Sequence, residues 1–82
     1  MSQTELEDVI RLHCMYQAGR PGGHRALLSY RDLSGLNLVN RNLSDADLTG
    51  ALLVGANLEA ANLGHAILFG CNLSKANLRN AN

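Results

Sequence analysis

The chain has 82 residues, of which 46% are hydrophobic, and its 7 Lys and Arg balance 7 Asp and Glu. That length allows one small domain at most, and zero net charge gives no field to attract nucleic acid or to imitate it. Cys14 and Cys71 form no metal-ligand pattern and no disulfide framework, no apolar run reaches the ~18 residues of a membrane span, and the acidic start at Glu5, Glu7 and Asp8 does not read as a signal peptide; a cytoplasmic protein with no membrane or nucleic-acid partner is expected.

Residues 1–25 read as a leader. Ser2 and Thr4 each stand three residues before a glutamate, which gives two overlapping capping-box candidates. Leu6, Val9, Ile10, His13 and Tyr16 or Gln17 recur at helical spacing, predicting a helix over about 5–17 that stops at Gly19, with Pro21 forbidding continuation. Gly22 and Gly23 are expected to make a flexible corner. A helix of three to four turns is unstable alone, so its apolar stripe must rest on the residues just beyond position 25.

From Ala26 onward a leucine stands at every fifth position: Leu28, Leu33, Leu38, Leu43, Leu48, Leu53, Leu58, Leu63, Leu68, Leu73 and Leu78. A period of five fits neither regular element. On an α-helix five residues advance by roughly 500°, scattering the leucines, and on a continuous strand an odd repeat sends alternate leucines to opposite faces. A short extended piece followed by a bend solves the problem. The leucine and the small residue two before it (Ala46, Ala51, Ala56, Ala61, Ala66, Cys71, Ala76) then point inward, with Cys71 an inert interior thiol.

These A-[DN]-L-x-x units, as in Ala56-Asn57-Leu58, resemble those of pentapeptide repeat proteins over 26–80, and the glycine-containing leader is similar to that of many bacterial and phage members. The resemblance implies an all-β solenoid, a right-handed quadrilateral β-helix with four pentapeptides per coil. Residues 26–82 would make just under three coils, with 1–25 as a capping helix and lead-in loop.

Sorting the repeats by fours exposes their irregularities. Asn37, Asn57 and Asn77 form one column, and Asn42, Asn62 and Asn82 another, suited to bonding turn backbones and one another. On the other two sides Leu27, Leu52 and Ile67 replace the Asn or Asp, with Val54 and Phe69 beside them. Such a patch reads either as a surface for a partner or self-association, or as ground covered by the leader helix. Arg31, Leu36 and Arg41 stand where alanine is expected, and a buried unpaired arginine is costly. Pairing with Glu5, Glu7 and Asp8 as cap chemistry is one reading; an anion site of Arg20, Arg25, Arg31 and Arg41 is the other. Glu59 and Arg79 are expected to stack as an exposed pair.

Nothing here assembles a catalytic group. His13, His24 and His65 lie apart, His13 and the adjacent Cys14 point different ways on a helix, and 19–23 lacks the lysine and hydroxyl of a phosphate loop. No catalytic, metal or cofactor residue is assigned. The expectation is a non-catalytic scaffold or protein-interaction module, forming a homodimer or end-to-end stack through an open C-terminal coil, since the chain stops where the next leucine would stand. The family resemblance adds a topoisomerase-modulating DNA mimic, which neutral charge and short length disfavour, and a targeting piece or fragment of a longer repeat protein.

Overall fold

The structure is a computed structural model describing residues 1–82. Helix α1 spans Gln3–Gln17, beginning two residues before the expected start because Ser2 is the cap: its Oγ accepts from the Glu5 N–H at 3.0 Å. Neither capping box closes. Glu5 and Glu7 turn outward to the solenoid instead of back to the chain. The C-terminus is a Schellman turn in which Gly19 adopts φ 69°, its N–H bonding Tyr16 O, while the Arg20 N–H bonds Met15 O. The lead-in loop is held rather than free. The His24 N–H donates to Leu12 O at 3.0 Å, and Gly23 lies so close to the backbone of Met15 and Tyr16 that a Cβ there would collide with it.

Beyond 26 the chain forms a β-helical solenoid, built from short parallel bridges between residues 20 apart. Four columns result: Leu27–Asp47–Ile67 on the first side, Asp32–Leu52–Asn72 on the second, Asn37–Asn57–Asn77 on the third and Asn42–Asn62 on the fourth. A pentapeptide that carries Asn or Asp and has a coil on either side uses all five of its amide donors in a fixed scheme. In the repeat 46–50, the Leu48 and Gly50 N–H groups donate forward to Ile67 O and Phe69 O, and the Asp47 N–H donates back to Ala26 O. The Ala46 N–H closes a turn on Leu43 O, leaving only the Thr49 N–H, which the Asp47 side chain takes at 3.0 Å. The same bond from Asn or Asp to the amide two residues on recurs in eight repeats, at 32, 37, 42, 47, 57, 62, 72 and 77. Asparagine therefore serves the turn inside its own repeat. Contact along a column is limited to Asn82 Nδ2 on Asn62 Oδ1 at 3.3 Å.

Every turn also places its last residue at positive φ, from Tyr30 at 61° through Asn80 at 58°. This bend resets the direction of the chain before the next leucine.

The core is sealed at one end only. Leu28 to Leu58 and Ala46, Ala51, Ala56 and Ala61 are buried, and Leu6 and Ile10 of α1 close the N-terminal mouth against them. Toward the other end burial fades. Leu68 and Leu73 are half-buried and Leu78 is 42% exposed, because no further coil lies over the end of the ladder. Ala66, Cys71 and Ala76 are half-buried for the same reason, and the Cys71 Sγ–H bonds Leu48 O at 2.8 Å.

A candidate interaction surface

Helix α1 lies across the first coil and is tied to it by polar contacts around the rim. Arg31 meets Glu5 at 2.7 Å, and Arg41 meets Glu7. Gln3 pairs with the Asn37 backbone like a strand residue, Nε2 donating to Asn37 O at 2.8 Å and Oε1 accepting from the Asn37 N–H at 2.9 Å. Arg31 holds the Glu5 carboxyl below its ordinary pKa, and Gln3 with Arg41 does the same for Glu7. Asp8 is not part of this rim; it faces Arg11 on its own helix at 3.8 Å.

At the centre of the cap is His13, fully buried. The Ala26 N–H can only donate, so Nδ1 accepts from it at 2.9 Å and the ring proton sits on Nε2, which donates to Ser44 O at 2.8 Å. Both nitrogens are used to join helix to solenoid, the Nε2 contact reaching the start of the last turn of the first coil. Gln17 also donates to Ser44 O.

The four arginines are not brought together as an anion site. Arg31 and Arg41 are each neutralised by a glutamate, Arg25 Nε donates to Asp45 O at 2.6 Å, and Arg20 follows α1 without an ion pair. Glu59 and Arg79 are not within ion-pair distance of each other. A cleft of about 480 Å³ between α1 and the first coil is lined by Val9, Leu12, His24, Arg25 and Leu27, and carries no nucleophile or carboxylate.

The remaining feature is the flank. Because α1 covers the end of the solenoid and not its sides, Leu27, Leu52, Ile67 and Phe69 stand exposed, Phe69 at 82%, with Val54 half-buried among them. Tyr30, which the repeat pattern does not single out, joins them at 78% exposure, its ring lying over Gly50. The signal for it was present in the sequence: an aromatic residue at a position otherwise taken on that corner by Gly50 and Gly70.

The family pattern for pentapeptide repeats matches in 8 copies over residues 24–59 and 42–80. The chain belongs to the pentapeptide repeat proteins. Among solved structures it is similar to Rfr23, a pentapeptide repeat protein from the cyanobacterium Cyanothece 51142, at 47% identity and a TM-score of 0.66, covering 67% of this chain and 37% of that one. It is also similar to a pentapeptide repeat protein from the Arabidopsis thaliana thylakoid lumen, at 32% identity and a TM-score of 0.46, covering 82% of this chain and 52% of that one. The chain thus spans about a third to a half of the length of these relatives. No curated protein matches it.

Proposed function

We propose that this chain is a non-catalytic scaffold that docks another protein on its first and second sides. The observation that carries the reading is the exposed apolar flank on a rigid solenoid, left uncovered by the helix that caps the end. Its two free cysteines suit the cytoplasm. We read the solenoid as right-handed and quadrilateral, just under three coils long, which the four bridge columns and their 20-residue offset support. The test is capture of partners from a lysate by wild type and by the Leu52→Asn and Ile67→Asn variants. Loss of the same bound proteins in both variants is expected, and retention of all of them would remove the flank from the function.

A second reading, self-association, has its own support. On the last coil the N–H groups of Leu68, Gly70, Leu73, Lys75, Leu78 and Asn80 have no partner in the chain, beside a leucine ladder losing its cover. The capped end cannot receive this edge, so two copies of the chain would meet edge to edge and stop at a dimer; in a longer chain the same edge would carry the next coil. Light scattering showing only monomer at high concentration would overturn the dimer. Zero net charge speaks against DNA mimicry, and gyrase supercoiling should be unaffected by excess protein.

A further inference from the structure

The repeats that break the Asn/Asp rule do more than expose hydrocarbon. Leu27, Leu52 and Ile67 cannot accept a hydrogen bond, and the amides they should serve, Ser29, Val54 and Phe69, donate to no atom of the chain. In the eight regular repeats this donor is taken by an outward-pointing side chain, so the three orphaned N–H groups also face outward, onto a flank that is apolar apart from Asp47 in the middle of the first column. A ligand that fits must bring carbonyl acceptors together with apolar bulk.

Spacing narrows the choice. Ser29 and Phe69 belong to one column two coils apart, about 9.6 Å along the axis at ~4.8 Å per coil. An extended strand presents the same face every two residues, at about 6.6 Å and again near 13 Å, and misses both donors together. A polyproline II helix presents the same face every three residues, at about 9.3 Å, and makes no internal hydrogen bonds, so its carbonyls are free. The aromatic groups required to hold such a helix are also present. Tyr30 and Phe69 are the two most exposed large hydrophobic side chains, and the absence of a side chain at Gly50 lets the Tyr30 ring lie over it.

We propose that this flank recognises a proline-rich segment of another protein in the polyproline II conformation, lying along the solenoid axis. Its carbonyls accept from the Ser29 and Phe69 N–H groups and its rings lie against Tyr30 and Phe69. The inference rests on the interaction-module reading and names the partner's chemistry.

The test is an amide NMR titration of the 82-residue chain with an acetylated, amidated peptide of three Pro-Pro-Leu triplets, against a control of three Gly-Ser-Leu triplets. Ile67→Asn is the informative variant, because it supplies the missing acceptor and returns the repeat to the regular pattern, which removes loss of folding as an explanation. Saturable shifts of the Ser29 and Phe69 amides are expected with the proline peptide, with affinity at least about tenfold weaker for the control and for Ile67→Asn. No saturable shift with the proline peptide, equal binding of the two peptides, or unchanged binding by Ile67→Asn would each overturn polyproline recognition. If Leu52→Asn still abolished partner capture while the proline peptide failed to bind, the flank would stand as a docking surface and this inference would fall alone.

Discussion

At the residue scale the pentapeptide is governed by its last position, where the backbone is left-handed in every repeat whether or not glycine is there. Gly55 has φ 69° with open space where a Cβ would stand, so Gly55→Ala isolates backbone strain and should cost about 1 kcal/mol in urea unfolding. Ala60 already bears that strain at φ 58°, and Ala60→Gly should raise stability by about 0.5–1 kcal/mol. An unchanged unfolding midpoint in both variants would contradict the strain. His13→Leu leaves the buried Ala26 N–H without an acceptor, while Ser44 O keeps Gln17, so the loss should be that of one orphaned amide, about 1–3 kcal/mol. A loss below about 0.5 kcal/mol, on the order of an exposed contact, would show that water reaches Ala26.

At the scale of the element, α1 is a lid whose charged edge surrounds buried Leu6 and Ile10 and the hydrogen-bonded ring of His13, and the edge answers to pH. Glu5 and Glu7 have lowered pKa values through Arg31 and through Gln3 with Arg41, and Asp32 and Asp47 through their turn bonds to Ser34 and Thr49. A carboxyl depressed in the folded state adds stability that is complete above its unfolded pKa, near 4.5 for Glu and 3.8 for Asp, and lost as pH falls through the lower folded value. Melting temperature should therefore hold from neutral pH to about 5 and fall below about 4. Asp47→Asn keeps the turn acceptor without the titration, and should show a shallower acid fall; an identical profile would place the acid sensitivity elsewhere. The helix itself was legible in the sequence from its periodicity and glycine stop, within two residues. The partners of its rim were legible only by charge: Glu5 and Glu7 found arginines in the second and fourth repeats of the solenoid, but Asp8, one residue on, faces Arg11 on the helix and stays local. What the sequence hid was His13, whose place on an apolar face said it was buried but not that two backbone groups from different repeats would meet its ring.

For the whole molecule, the leucine period alone was enough to exclude helix and continuous strand and so to identify the coil. The fading of the ladder toward Leu78 was less legible, because burial depends on what stacks above a residue and not on the residue. The molecule should accordingly be stable from one end. Hydrogen exchange in dilute solution should show the longest protection for Leu33, Leu38 and Leu43 beneath the cap, and the shortest for Leu68, Leu73, Leu78 and their unpaired neighbours; uniform protection would contradict it, and protection of the last coil that grows with concentration would report the dimer. The closed donor scheme of the pentapeptide also governs how such a chain can change length. Five residues added or removed keep every hydrogen bond and every inward leucine, yet they advance the phase of all later outward positions by one side. Ile67 and Phe69 would then leave the column of Ser29 while the interior stayed intact. Twenty residues restore the phase. A repeat protein of this kind can thus grow in two increments, a small one that rewrites its surface and a large one that preserves it, and folding does not distinguish between them.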